Sequence, residues 1–156
     1  MASPRDIRRL AFQALFFLDA RGDEDEGAVR DALETQADDD PASFSPEERD
    51  RAAELALAAY RTRRFADDAM RALAPTWPAQ RQPAVDRAIL RLAHYEMTAT
   101  PENPKVVVND AVEIAKRFST DRSPAFVNGL LDKILKQVLA SSRAEPPASA
   151  APGGEA

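Results

Sequence analysis

The sequence predicts an all-α protein. Apolar residues recur at the spacing of one helical face along most of the 156-residue chain. Ser-Pro and Asn-Pro pairs precede several of these segments, where a polar side chain can cap a helix and proline fits its first position. Only five glycines occur, and no useful length of sequence alternates apolar and polar residues as a half-buried strand does. The predicted elements are therefore helices, with ends placed to within about 2–4 residues.

The first predicted helix begins at Ser3-Pro4 and has two unlike faces. Its core face is apolar and consists of Ile7, Leu10, Ala11, Ala14, Leu15 and Leu18. At about 100° per residue, the opposite side carries arginines and phenylalanines, namely Arg5, Arg8, Arg9, Phe12 and Phe16, with Gln13 at its edge. Guanidinium groups and aromatic rings are what proteins use to pair phosphates and stack bases of single-stranded RNA. The helix taken alone favours a plainer interpretation, in which the phenylalanines pack against a second layer and the arginines face water.

The next segment is strongly acidic. Residues 21–50 carry a net charge of −9 in a chain whose total is −5, so the remaining residues are net positive. A basic surface elsewhere is therefore compatible with the acidic total, because binding depends on the local charge. A short helix is expected over residues 28–37, after a stop at Gly22. The run Asp38-Asp39-Asp40 lacks the ligand spacing of a calcium loop, which favours a solvated charge run.

The middle of the chain contains a strong helix start at Ser45-Pro46-Glu47-Glu48, which has the pattern of a capping box. Apolar spacing continues to about residue 74, as one long helix or as two with a break near residues 61–64. The basic residues there, Arg61, Arg63 and Arg64, could contact phosphate. Pairing with Asp67 and Asp68 at a solvated hinge is the favoured interpretation.

Prolines between residues 75 and 83 indicate a boundary between two helical halves. Three more helices are predicted beyond it, over about residues 83–98, from Pro104 to Phe118, and from Ser123-Pro124 to about residue 140. His94, the one histidine, is interpreted as a surface or half-buried residue. The domain is expected to span residues 1–140, and residues 141–156 to be a disordered tail.

Chemistry needed by most enzymes is missing from the sequence. There is no cysteine, one histidine and no glycine-rich phosphate loop, so no catalytic triad, cofactor site or metal site is predicted. The N-terminal segment does not have the pattern of a signal peptide, and no apolar run reaches the roughly 20 residues that span a bilayer. A non-enzymatic cytoplasmic binding protein is therefore the expected class.

Four stretches resemble the NusB family of bacterial transcription antitermination factors. They are residues 8–16 (RRLAFQALF), 86–97 (DRAILRLAHYEM), 104–118 (PKVVVNDAVEIAKRF) and 126–133 (FVNGLLDK). They occur in the family's order, and their combination is far more specific than any one of them. The resemblance implies a fold of about seven helices in two packed three-helix subdomains. It also implies recognition of single-stranded boxA RNA with the ribosomal protein NusE, within an RNA polymerase antitermination complex that supports ribosomal RNA synthesis.

Carried over by position, the resemblance predicts a set of RNA-binding residues on the first helix and around the last turn. They are Arg5, Arg8, Arg9, Gln13, Phe16, Arg122 and Phe126. Asp86 is expected on the NusE-facing side. Arg122 departs from the family pattern, where an acid is frequent, and a basic residue there would suit a phosphate.

Two other functions are compatible with a helical domain of this kind. One is an RNA-targeting module of an RNA methyltransferase, which would need a catalytic half with a glycine-rich loop that this sequence lacks. The other is a protein scaffold, in which a homodimer covers the arginine face and RNA has no role.

Overall fold

The computed structural model describes residues 2–40 and 42–144, and these residues form helices and no strand. The α-helices are α1 (Pro4–Arg21), α2 (Glu26–Asp39), α3 (Pro46–Arg61), α4 (Arg63–Leu73), α5 (Ala84–Ala99), α6 (Pro104–Phe118) and α7 (Ser123–Ala144). A single turn of 3₁₀ helix, Ala79–Arg81, lies between α4 and α5. The prediction of an all-α fold is confirmed. None of the helices in these described ranges is long and apolar enough to cross a membrane.

Local capping explains where several helices begin and end. The side chain of Ser3 accepts a hydrogen bond from the backbone N–H of Asp6, and the Asp6 carboxylate accepts one from the backbone N–H of Ser3. Ser45 and Glu48 form the same reciprocal box at the start of α3. Gly22 ends α1 with φ of 77°, a left-handed conformation that glycine adopts without steric cost. These boundaries agree with the sequence prediction.

Other boundaries differ from the prediction. Helix α2 begins at Glu26 and continues to Asp39, two residues beyond the predicted helix at each end. The long apolar segment of the middle of the chain is two helices, broken at Thr62. Helix α7 continues through Ala144, beyond the expected end near residue 140. Residues 145–156 lie outside the described residues, so the disordered tail stays a prediction.

The helices pack as two groups of three, as predicted. Helix α1 packs against α2 and α3, and α6 packs against α5 and α7, while α4 lies mainly on α5. Helix α1 also contacts α5 and α6, so it has neighbours on two sides. The largest fully buried side chains come from both groups: Leu10, Leu15, Leu18, Val29, Met70, Ile89, Leu90, Val107, Val127, Leu131 and Ile134. Each contributes about 1.5–3 kcal/mol relative to exposure, and one continuous core joins the two groups.

An ion-pair network joins three helices at the end of α1. Arg91 of α5 donates to Asp19 of α1 at 2.9 Å and to Asp67 of α4 at 2.7 Å. Burial is the largest influence on Asp19 and raises its pKa, although Arg91 and Arg87 favour the charged form. This network holds α4 and the end of α1 against α5.

His94 is half-buried on α5, and burial lowers its pKa. The unfolded chain therefore binds more protons than the folded chain once the pH falls below the unfolded pKa of about 6.5. We expect the free energy of unfolding to decrease through this range, and His94→Gln to remove that component. Urea titrations of the two proteins at about pH 7 and pH 5 measure the difference.

Glu96, whose pKa is raised by burial, has the opposite pH dependence but is present in both proteins and cancels in the comparison. The same pH dependence in wild type and variant would contradict the assignment to His94.

Candidate nucleic-acid interface

Arg8 is buried in a cluster of carboxylates. Its side chain is 6% exposed, and it donates from Nε to Glu96 at 2.9 Å, from Nη1 to Asp110 at 2.8 Å and from Nη2 to Glu102 at 2.8 Å. These partners belong to α5, α6 and the turn between them. Burial is the largest influence on Glu96 and raises its pKa, while Arg8 favours its charged form. The expected position of Arg8 on an open outer face is wrong.

Arg9 is also buried and paired. It donates from Nη1 to Asp6 at 2.9 Å and from Nη2 to both carboxylate oxygens of Asp40 at 2.6 and 2.7 Å. The Asp40 side chain is only 6% exposed, so this member of the acidic run is an ion-pair partner and is not solvated as expected. The prediction of an exposed Arg9 is likewise wrong.

Phe12 is buried in the interface between α1 and α6. Its ring lies 5.3 Å from the ring of Phe118, measured between centroids, and only 3% of the residue is exposed. The plainer interpretation of α1 is correct for this phenylalanine and wrong for Arg8 and Arg9. The reason is that α1 packs against α2 and α3 on one side and against α5 and α6 on the other, so both of its sides are covered.

Other predicted residues of α1 remain accessible. Phe16 is 38% exposed, and its ring centroid lies 6.5 Å from that of Phe12. The Arg5 side chain is 56% exposed, although its Nε donates to Asp110 at 3.0 Å. Gln13 is half-buried, and its Oε1 has no hydrogen-bond partner. Of the predicted residues of α1, Phe16 and Arg5 therefore offer an exposed ring and an exposed guanidinium group, while the amide oxygen of Gln13 is buried.

Asp86 holds the turn that precedes α7. The carboxylate accepts hydrogen bonds from Ser119 Oγ at 2.6 Å and from Ser123 Oγ at 2.8 Å, and the residue is 3% exposed. It was expected on a partner-facing surface, but its carboxylate faces this turn instead. The first turn of α5 thereby fixes the conformation of the turn between α6 and α7.

The other two predicted residues lie at and after this turn. Arg122 is exposed. Phe126 is half-buried and packs edge-on against Trp77 at 6.5 Å between ring centroids, and Trp77 is 42% exposed. The described ring contacts join Phe126 to Trp77 and not to α1. The connection between α1 and the turn is made instead by Phe118, whose ring contacts Phe12.

A groove of about 300 Å³ lies between α1 and α6, next to these rings. Its lining is Arg5, Arg9, Glu113, Ile114, Lys116, Arg117 and Phe118. The sequence prediction did not include Lys116 or Arg117. The signal that could have found them is an adjacent basic pair at the end of a helix, directly before the turn.

The second basic cluster, at the junction of α3 and α4, does not pair as predicted. Arg61 binds Glu24 at 2.9 Å, and Arg63 donates to the carbonyl oxygen of Tyr60 at 2.7 Å while lying over its ring. Asp67 and Asp68 are bound by Arg91 and Arg71 instead. Arg64 is exposed, and the neighbouring Phe65 is 68% exposed.

Comparison with known proteins gives a consistent result. The NusB family model matches residues 5–136. The transcription antitermination protein NusB of Symbiobacterium thermophilum is 39% identical over 146 residues, covering 92% of this chain and 95% of the relative. The structure of T. maritima NusB is 34% identical, covers 88% of this chain and 94% of that one, and superposes with a TM-score of 0.73.

A complex of the antitermination factors NusB and NusE with dsRNA contains a chain of the same fold. That chain is 24% identical with a TM-score of 0.72, and the match covers 85% of this chain and 96% of that one.

The carboxylates around Arg8 predict a large difference between two arginine variants of α1. Arg8→Ala leaves Glu96 buried without its cation, and we expect a loss of about 3–5 kcal/mol in the free energy of unfolding. Arg5→Ala removes an exposed partner of Asp110, and we expect a loss of about 1 kcal/mol or less. Urea denaturation followed by circular dichroism measures both. Similar small losses in the two variants would contradict the structural role of Arg8.

Proposed function

The chain belongs to the NusB family, and on that premise we propose that it is a transcription antitermination factor. In this proposal it binds single-stranded boxA RNA as a heterodimer with the ribosomal protein NusE. The heterodimer joins RNA polymerase in the cytoplasm and supports transcription of ribosomal RNA. No enzymatic step is part of the proposed role.

The observation that carries the RNA-binding part is the exposed ring of Phe16 on α1, which is joined through the buried ring of Phe12 to half-buried Phe118 at the end of α6. Phe16 is exposed and contacts Phe12, and Phe12 contacts Phe118 directly before the turn. An exposed ring beside basic side chains suits stacking of an unpaired base together with binding of phosphates. We infer that Arg5, Gln13, Phe16, Arg122 and Phe126 contact the RNA.

Arg8, Arg9 and Asp86 have a different role in this proposal. Each is buried and bound to groups of the same chain. Moving Arg8 to a phosphate would leave Glu96 without a cation in a poorly solvated site, which is costly, and would leave Asp110 with Arg5 alone. We infer that these three residues position the RNA-binding surface and do not contact RNA.

Binding by this chain alone is expected to be weak. Of the proposed RNA contacts, two are exposed cations, Arg5 and Arg122. Each phosphate neutralised on a single strand contributes about −0.7 to the slope of log K against log salt, so the electrostatic contribution is small. NusE is expected to strengthen binding, and equal affinity with and without NusE would contradict this part of the proposal.

Phe16→Ala tests the stacking surface, with Phe65→Ala as its control. Both phenylalanines are exposed, on α1 and α4 respectively. We expect Phe16→Ala to weaken boxA binding by the NusE heterodimer about tenfold or more, because stacking is worth about 1–3 kcal/mol per base. Phe65→Ala should leave affinity unchanged. Fluorescence anisotropy gives the affinities, and circular dichroism verifies helicity.

Full affinity in Phe16→Ala would move the RNA site away from α1. Phe126→Leu, which preserves an apolar contact with Trp77, tests the other end of the surface in the same assay.

Light scattering distinguishes the scaffold alternative, since a homodimer whose mass is unchanged by boxA RNA would contradict an RNA-binding role.

A further inference from the structure

We propose that Lys116 and Arg117, at the C-terminal end of α6, bind backbone phosphates of the RNA together with Arg5 of α1. The inference rests on the proposed function and adds two contacts to it. It assigns the electrostatic part of RNA binding to the groove between α1 and α6, in place of the buried Arg8 and Arg9.

The groove has a net positive lining. Its charged residues are Arg5, Arg9, Lys116 and Arg117 against a single carboxylate, Glu113. The chain as a whole is net negative at −5, and Arg5 and Arg9 are paired with Asp110, Asp6 and Asp40 outside the lining. The excess positive charge of the groove is therefore at the end of α6, where Lys116 and Arg117 face the single carboxylate of Glu113. A polyanion responds to such a local charge and not to the total.

The side chains of Lys116 and Arg117 are available for a ligand. Arg117 is exposed, and its guanidinium carbon lies over the ring of Phe118, 5.0 Å from the ring centroid. Lys116 pairs with Glu113 at 3.1 Å, and the two side chains are 58% and 43% exposed. An exposed pair of this kind contributes about 1 kcal/mol or less, so a phosphate can replace the carboxylate at small cost.

Arg8 and Arg9 of α1, which the sequence predicted as RNA-binding residues, are not available for a ligand in this way. Arg9 lines the groove but both of its Nη atoms donate to carboxylates. Its Nε is buried without a hydrogen-bond partner, and its charge is matched by Asp6 and Asp40. Arg8 is held by three carboxylates.

The groove is linked to the exposed ring of the proposed RNA site, Phe16, through the ring of Phe12, which is itself buried. Phe118 lines the groove and contacts Phe12, which contacts Phe16. A strand stacked on Phe16 would therefore pass beside the cations at the end of α6. Sites for single-stranded nucleic acid commonly combine such a positively charged groove with stacking rings.

The test is the salt dependence of RNA binding by the double variant Lys116→Gln/Arg117→Gln, measured by fluorescence anisotropy with the NusE heterodimer. Two RNAs of equal length are used, boxA and a scrambled sequence of the same composition. Because phosphate contacts do not depend on sequence, we expect the log–log slope to become shallower by about 1.4 for both RNAs, about 0.7 per lost phosphate. At moderate salt the affinity should fall about tenfold.

Arg64→Gln is the matched control, since Arg64 is an exposed arginine on another helix, α4. It should leave slope and affinity unchanged. The double variant should unfold at the same urea concentration as wild type, because both replaced side chains are exposed.

The outcomes separate this inference from the proposed function. An unchanged slope and affinity in the double variant would overturn the assignment of Lys116 and Arg117, while boxA recognition would stand. Equal wild-type affinity for boxA and scrambled RNA, with a shallower slope in the double variant, would overturn boxA recognition and support the groove. If Arg64→Gln reduced the slope equally, the groove would not be a specific phosphate site. The same conclusion would follow if the wild-type heterodimer bound neither RNA.

Discussion

The pairing of Arg8 with three carboxylates is the constraint on which the arrangement of the site depends. A buried guanidinium group is tolerated only when its charge is matched and its N–H groups are bound, and here Glu96, Glu102 and Asp110 satisfy both conditions. All three belong to the second group of helices or to the turn within it. Arg8 therefore fixes the position of α1 relative to α5 and α6, and with it the proximity of Phe12 to Phe118. Asp86 has a similar role at the next turn, where it binds Ser119 and Ser123.

The consequence for function is a division between residues that position the surface and residues that can touch a ligand. The arginine-rich start of α1 reads as one RNA-binding motif, but Arg8 and Arg9 are buried and bound to carboxylates of the same chain. Exposed cations are found at Arg5, at the end of α6 and at the turn before α7. The surface offered to RNA is thus shared by several elements, and its geometry depends on how the two groups of helices are joined.

Much of the fold follows from local sequence patterns. The capping boxes at Ser3 and Ser45 and the stop at Gly22 lie where local chemistry places them, because a cap needs only its nearest neighbours. The face of α1 with Arg8 and Phe12 could not be assigned in this way. Helical spacing identifies the apolar side of a helix, but it does not show that the opposite side is covered by α5 and α6. Nor does sequence pair Arg9 with Asp40, which is 31 residues away. The basic pair Lys116-Arg117 was visible in the sequence, and its relation to Arg5 required the packing of α6 on α1.

The most direct test of this account is the RNA affinity of the double variant Arg8→Met/Glu96→Met in complex with NusE. Replacing both members of a buried ion pair by apolar residues of similar size is commonly neutral or stabilising. Of the other two carboxylates, Asp110 keeps Arg5 and Glu102 is half-exposed, so the variant should fold with α1 held against α5 by apolar contacts in place of the ion pair. If Arg8 acts only by positioning α1, its boxA affinity will equal that of wild type. A double variant with the helicity and urea midpoint of wild type that has lost boxA binding would show that Arg8 contacts the RNA, and would contradict the account.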